Sequence, residues 1–214
     1  MRKEGLYFDY KYNKVEKSIT IMPNDQQQKT RIISAATNLF ARFGLEKTTM
    51  EDIAKAAKKG KSSLYYYFES KEQVFAEVIR YEIAGLKSAI VEAIEKEDDP
   101  RNKLRKFVNT RLNYLNEKAD QYIAIKDEYL KHYAFIENLT MDYSNWEVST
   151  IKTILEYGQV KGIFEVTNLK THSKAIFFAL KGLEYPWTLN LPRKEIAKSV
   201  DVLIDILLKG IRKS

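Results

Sequence analysis

The chain has 214 residues, a formal charge of +7 and 44% hydrophobic residues, enough to build one large or two modest globular domains around real cores. It has no cysteine, which excludes disulfides and thiolate metal sites and is typical of a reducing compartment. No apolar run approaches the ~18 residues that a membrane helix needs, and the N-terminus lacks the apolar core of a signal peptide, so we expect a cytoplasmic protein.

Residues 1–23 show no helical periodicity, and they end in Pro23, which stops any preceding helix. We interpret them as an N-terminal extension outside the fold. They are either a disordered tail or the product of a start codon placed upstream of a true start at Met22. A basic arm that reaches a partner is the functional alternative.

The first predicted helix begins at Asp25, which forms a capping-box pattern with Gln28, and ends at Gly44 as a C-terminal cap. Its apolar residues recur at helical spacing. These residues are Ile32, Ala35, Ala36, Leu39, Phe40 and Phe43.

Two short helices joined by a tight turn are predicted between Thr48 and Lys71. Thr49 and Asp52 have the spacing of a capping box that opens the first of them, and Gly60 interrupts the pattern. The second short helix covers residues 61–68, and Ser70 with Gln73 begins the next one. This is the pattern of a helix-turn-helix. We expect the three-helix core to contain Ile32, Leu39, Phe40, Ile53, Leu64 and Phe68.

The surface of this segment combines cationic, hydroxyl and aromatic side chains. Four lysines fall within seven residues, and they are Lys55, Lys58, Lys59 and Lys61. Two serines and three consecutive tyrosines follow them. Such side chains contact phosphates and base edges in nucleic-acid complexes. A capped, alanine-rich helix also occurs in many ordinary folds, so the prediction depends on the combination.

The stretch from Lys29 to Glu72 resembles the TetR-type one-component transcriptional regulators in RIISAATNLFARFGLEKTT, IAKAA, KSSLYYYF and SKE. The resemblance implies that one group of residues meets DNA phosphates, namely Thr48, Thr49, Tyr65 and Lys71. It implies that a second group approaches base edges, namely Lys61, Ser62, Ser63 and Tyr66. Lys59 and Gly60 in the turn complete the predicted DNA-binding set.

Two residues depart from the family pattern. The family carries a glycine and then a small aliphatic residue in the turn, where this chain has Lys58 and Lys59. A lysine in the left-handed conformation would cost ~1–2 kcal/mol, so the turn geometry is left open.

Beyond residue 71 the chain reads as helix after helix, without alternating strand patterns. We expect an all-α fold of about nine helices, divided into the extension 1–23, a DNA-binding domain 24–71 and a ligand-binding and dimerisation domain 72–214. The fourth helix covers residues 71–95, the fifth starts at Pro100 and the sixth near Asp120. The seventh runs towards Gly162, the eighth spans residues 169–189, and the ninth begins after Pro192.

The last helix is apolar around more than one face, which favours burial on two sides, against its own body and against a partner. Burial within its own domain alone is the alternative. Members of the family pair through their last two helices into a four-helix bundle, and a two-fold dimer would place two recognition helices roughly 34 Å apart. The predicted interface residues are Ile196, Val200, Leu203, Ile204, Leu207 and Leu208.

The body also contains aromatic and polar residues that could line a ligand cavity, although an aromatic stripe at helical spacing is more often plain core. The predicted pocket residues are Phe107, Tyr114, Tyr129, His132, Tyr133, Trp146, Phe178 and Tyr185. His132 and His172 lack the spacing of zinc ligands, and we expect no metal site and no cofactor.

These patterns predict a ligand-responsive DNA-binding regulator and not an enzyme. We expect a homodimeric repressor that binds a double-stranded palindromic operator and is released by a small apolar or aromatic effector, because charged groups are few among the predicted pocket residues. The alternatives are a small all-α enzyme with an apolar substrate pocket, which lacks a recognisable catalytic cluster, and a helical adaptor, which would leave the lysine, serine and tyrosine surface unexplained.

Overall fold

The computed structural model describes residues 24–121, 133–183 and 193–211, and within them it contains eight α-helices and no strand. The all-α prediction is confirmed. The helices are α1 (Asn24–Lys47), α2 (Met50–Ala56), α3 (Lys61–Tyr67), α4 (Lys71–Glu95), α5 (Pro100–Gln121), α6 (Tyr133–Val160), α7 (Leu169–Gly182) and α8 (Arg193–Ile211).

Local signals in the sequence set most of the helix ends. Gly44 has a φ of 78°, which breaks α1 where the sequence predicted a cap. The side chains of Thr49, Ser70 and Asn168 accept hydrogen bonds from the first turns of α2, α4 and α7. Each N-cap satisfies a backbone amide that the helix itself leaves without an acceptor.

Buried apolar side chains form two clusters, which we call the head cluster and the body cluster. The head cluster comprises Ile32, Ala36, Phe40, Leu45, Met50, Ile53, Ala54, Leu64, Phe68, Val74, Phe75, Val78 and Ile136, with Leu39 packed against it. All six residues of the predicted three-helix core belong to it or pack on it. The body cluster draws on α4 to α8 and includes Leu86, Ile90, Phe107, Leu112, Ile151, Ile154, Leu180, Val200 and Ile204.

Helix α4 takes part in both clusters. Val74, Phe75 and Val78 on its first turns are buried in the head cluster, while Leu86, Ile90 and Ile94 further along are buried in the body cluster. A helix of 25 residues is about 37 Å long, so one rigid element connects the two cores.

Two predicted boundaries are wrong. The sixth helix was expected to start near Asp120, but α5 continues through Gln121. The eighth helix was expected to reach residue 189, but α7 ends at Gly182, where Leu183 is its C-cap. Helix periodicity does not locate either end, because the apolar pattern continues past both. No helix in the described parts of the chain is long and apolar enough to cross a membrane.

Candidate nucleic-acid interface

The entry to α2 is held by two threonines with different surroundings. Thr48 is buried, and its hydroxyl donates to the carbonyl oxygen of Gly44 at 2.6 Å. Thr49 is exposed and forms a reciprocal capping box, in which its hydroxyl accepts from the amide of Asp52 and the Asp52 carboxylate accepts from the amide of Thr49. The Thr49 hydroxyl also donates to that carboxylate, and this bond is the main cause of a lowered pKa at Asp52. Of the two threonines predicted to meet phosphates, Thr49 is the accessible one.

The turn after α2 is a Schellman motif with a lysine at the position that normally holds glycine. The amide of Lys58 donates to the carbonyl of Lys55 at 3.1 Å, and the amide of Lys59 donates to that of Ala54 at 2.9 Å. Lys58 has a φ of 54°, in the left-handed region. The chain therefore keeps the tight turn despite departing from the family pattern, at a cost of about 1–2 kcal/mol.

Helix α3 separates a buried face from an exposed one. Leu64 and Phe68, four residues apart, are 0% and 3% exposed and lie in the head cluster. Tyr65 and Tyr66 are 46% and 75% exposed on the other side. Lys61 and Ser62 are exposed and Ser63 is half-buried, so the predicted base-contacting residues all keep access to solvent. Two turns of helix with this surface fit a major groove ~12 Å wide.

Two contacts fix α3 and α4 relative to α1. The Tyr67 hydroxyl donates to the carboxylate of Asp25 at 3.1 Å, and burial, followed by this contact, raises the pKa of Tyr67. The Lys71 ammonium donates to the carbonyls of Leu45 and Glu46 at 2.9 and 3.1 Å. Lys71, predicted as a phosphate contact, thus also binds the carbonyls that follow the break in α1.

The electrostatics of this surface favour an anionic partner. Lys61 lies 3.7 Å from Glu51, but both side chains are more than half exposed, so this pair contributes little and leaves the Lys61 ammonium available to a partner. No other ion pair within the described residues involves a lysine between positions 55 and 61. The turn and the start of α3 present a concentrated positive charge.

The comparison with known families agrees with this geometry. The family model "Bacterial regulatory proteins, tetR family" matches residues 32–78, which run from α1 into the first turns of α4 and include the head cluster except Ile136. The chain is 28% identical over 191 residues to the "Probable acrEF/envCD operon repressor" of Escherichia coli (strain K12), covering 85% of this chain and 86% of that protein. These matches support a TetR-type transcriptional regulator.

Two further similarities extend beyond the head of this TetR-type regulator. It is 26% identical over 205 residues to the "HTH-type transcriptional repressor NicS" of Pseudomonas putida, covering 88% of this chain and 95% of that one. A crystal structure of a transcriptional regulator from Cytophaga hutchinsonii ATCC 33406 superposes with a TM-score of 0.73 and 25% identity, covering 85% of this chain and 97% of that chain. The likeness therefore includes the body as well as the head.

Four of the eight predicted pocket residues have side chains that the structure describes. Phe107 is fully buried in the body cluster, Trp146 packs against that cluster, and Tyr114 is half-buried. Phe178 is 66% exposed, so it faces away from the body core rather than into it. Tyr129, His132 and Tyr185 lie outside the described residues, as does the side chain of Tyr133.

A buried ion pair in the body was missed by the sequence reasoning. Arg111 on α5 donates through Nε to the carboxylate of Glu147 on α6, and each side chain is 1% exposed. The Tyr143 hydroxyl donates to the same carboxylate oxygen at 3.0 Å. The sequence does contain an indication of this pair. Arg111 is four residues from the buried Phe107, and Glu147 is four residues from the buried Ile151, so each charged residue lies on the apolar face of its helix.

Tyr114 belongs to a second polar contact, between α4 and α5. Its hydroxyl lies 3.2 Å from the Glu82 carbonyl and 3.1 Å from the Glu82 carboxylate, and the Lys118 ammonium lies 2.8 Å from that carboxylate. Burial and the negative charge of Glu82 raise the pKa of Tyr114. A Cβ at position 85 would come within 2.6 Å of this hydroxyl, so Gly85 is what lets Tyr114 approach α4.

A polar groove of about 440 Å³ runs along the outside of α5, and no predicted pocket residue lines it. Its lining residues are Glu97, Asn102, Arg105, Lys106, Asn109, Thr110 and Asn113. This groove is distinct from the aromatic cavity that the sequence predicts.

The predicted dimer residues on α8 divide into two groups. Val200 and Ile204 are 4% and 1% exposed within the body cluster of their own chain. Leu203, Leu207 and Leu208 are half-buried, and the side chain of Ile196 lies outside the described residues. The exposed apolar residues are instead Val202 and Ile206, at 59% and 61%, one turn apart on the opposite face.

Proposed function

We propose that this TetR-type regulator is a repressor that binds a palindromic operator as a homodimer and is released by a small-molecule effector. The observation that carries the proposal is the exposed surface of α3, where Lys61, Ser62, Tyr65 and Tyr66 lie close to further lysines that form no ion pair within the described residues. Side chains of this kind bind phosphates and read base edges.

The roles of the individual head residues follow from their exposure. Tyr66 and Lys61 are exposed donors on α3, so we assign them, with Ser62 and Ser63, to base edges. Thr49 and Tyr65 flank this face and suit phosphate contacts. Phosphate contacts fix the orientation on the duplex, and contacts to base edges supply specificity.

The second apolar face of α8 supports the homodimer. Val202 and Ile206 expose an apolar strip opposite the buried Val200 and Ile204, which is the two-sided burial that a helix between a body and a partner requires. Phe178 on α7 adds a third exposed apolar side chain, on the other helix that pairs in the family. We therefore place the interface on this strip, rather than on Val200 and Ile204 as predicted.

Helix α4 supplies a route by which an effector could act on DNA binding. Its first turns are packed in the head cluster and its later turns in the body cluster, so a displacement in the body must move the head. Ile136 of α6 is also buried in the head cluster and gives the body a second contact there. An effector weakens operator binding only to the extent that it binds the conformation with displaced heads more tightly than the DNA-binding conformation. A tenfold loss of operator affinity needs ~1.4 kcal/mol of this difference in binding free energy.

The body core suggests an apolar or aromatic effector that also carries a polar group. Tyr143 and Trp146 stack with ring centroids 5.7 Å apart, and the Lys87 ammonium lies 5.4 Å from the Trp146 ring. These rings adjoin the Arg111–Glu147 pair through the Tyr143 hydroxyl. A ligand that rests on the aromatic surface could complete its recognition with a hydrogen bond to this polar group.

The test of the proposal is a fluorescence anisotropy titration of the full chain against DNA fragments taken from beside its gene, at several salt concentrations. We expect one fragment to bind far more tightly than random duplex, with an affinity that falls steeply as salt rises, because phosphate neutralisation releases condensed counterions. Equal affinity for every fragment and for random DNA would contradict the regulator function.

A further inference from the structure

The turn between α2 and α3 places a lysine in the left-handed backbone conformation, and nothing in the fold requires a lysine there. Lys58 occupies the C′ position of the Schellman motif with a φ of 54°, a conformation that disfavours any residue with a Cβ. Lys58 is the non-glycine residue with a positive φ in the described parts of the chain.

The same motif at the end of α6 shows the ordinary solution. There the amide of Gly162 donates to the carbonyl of Gln159, and the amide of Ile163 donates to that of Gly158, both at 2.9 Å. Gly162 has a φ of 69° and holds the position that Lys58 holds in the head. The chain thus uses glycine at one such position and lysine at the other.

Within the described residues, the side chain of Lys58 makes no contact that would offset this strain. It is exposed, and within the described residues no carboxylate lies within 4 Å of its ammonium and no acceptor binds it. The neighbouring acids are otherwise engaged, since Asp52 completes the capping box with Thr49 and Glu51 lies beside Lys61. A strained residue without an internal role points to an external one.

We propose that Lys58 is an additional phosphate ligand of the operator, binding the DNA backbone beside the groove that α3 enters. This inference rests on the DNA-binding function proposed above. Lys58 stands three residues before Lys61, the first residue of α3, and its flexible ammonium can reach a phosphate without fixing a base. The contact therefore adds affinity to all sequences and does not help to choose between them.

Three variants test the proposal. Lys58→Gly removes both the strain and the charge, and Lys58→Gln removes the charge while keeping a side chain at the left-handed position. Lys152→Gln is the control for net charge, because Lys152 is exposed on α6 in the body. Each is measured by thermal unfolding and by anisotropy with the tightest gene-adjacent fragment and with a random duplex.

We expect Lys58→Gly to unfold at a higher temperature than the wild type and yet to bind both duplexes several-fold more weakly. The slope of log affinity against log salt should fall by about 1. Lys58→Gln should lose the same affinity without the gain in stability, and Lys152→Gln should change neither property.

Other outcomes separate this inference from the proposed function. If the wild type binds with a steep salt dependence but Lys58→Gly binds with unchanged affinity and slope, Lys58 is not a phosphate ligand and the regulator function stands. A Lys58→Gly variant without any gain in stability would overturn the argument from strain. A wild type that binds no duplex would overturn both proposals.

Discussion

Breaking the Arg111–Glu147 pair should destabilise the body far more than breaking an ion pair on the surface. In Arg111→Met, the Glu147 carboxylate stays 1% exposed and loses the Arg111 guanidinium, although the Tyr143 hydroxyl still donates to it. Removing one partner of a buried pair costs about 3–5 kcal/mol. That is a large share of the ~5–15 kcal/mol that holds a typical protein folded.

The expected shift is measurable by thermal unfolding. A domain of this size loses about 2–4 °C for each kcal/mol, so Arg111→Met should lower the midpoint by roughly 6–20 °C. The double variant Arg111→Met/Glu147→Leu should recover most of the loss, because apolar side chains of similar volume can replace a buried pair. Lys96→Met is the matched control, because the Lys96–Glu92 pair is 70% exposed on both sides and its removal should leave the midpoint unchanged.

Two results would refute this reasoning. A single Arg111→Met substitution that costs less than about 1 kcal/mol would show that the carboxylate is not desolvated as its burial implies. A double variant as unstable as the single one would show that the loss comes from shape and not from charge.

Two other predictions concern the assembly and the first capped helix. Val202→Glu combined with Ile206→Glu should give a monomer in sedimentation velocity at micromolar concentration. Val160→Glu, at a still more exposed apolar position on α6, should leave the dimer intact. A persistent dimer in the double variant would place the interface elsewhere. The hydrogen bond from the Thr49 hydroxyl lowers the pKa of Asp52, so the stability that this bond adds to the fold is present at neutral pH and is lost as pH falls through the folded-state pKa of Asp52. In urea unfolding, Thr49→Val should therefore lose less stability on acidification than the wild type. The same pH profile in both proteins would contradict this prediction.

Local signals made the head of this protein predictable. The cap at Thr49, the glycine at 44 and the helical spacing of Leu64 and Phe68 each act within a few residues, so the sequence located the helices and the core around them. The left-handed position was also recognisable, because the family pattern has a glycine where this chain has Lys58.

Contacts between distant helices were less predictable. Phe177 and Phe178 are adjacent in the sequence, yet one is 8% and the other 66% exposed, and only the docking of α7 on the body decides which is buried. Helix α8 is apolar on two faces, so the helical periodicity predicts burial on two sides. It does not show which of the two faces packs against the body of the same chain. The partner of Arg111 lies 36 residues away on another helix, beyond the reach of any local pattern.

The measurement that tests the account most directly is the binding of Lys61→Ala to the tightest gene-adjacent fragment and to random duplex. Lys61 begins α3 on its exposed face, and a base contact there should be worth ~1–3 kcal/mol on the specific site and much less on random DNA. We expect the ratio of the two affinities to fall by about 5- to 150-fold, while the random-duplex affinity changes little. An equal loss on both duplexes would contradict the assignment of α3 as the helix that reads sequence through this residue.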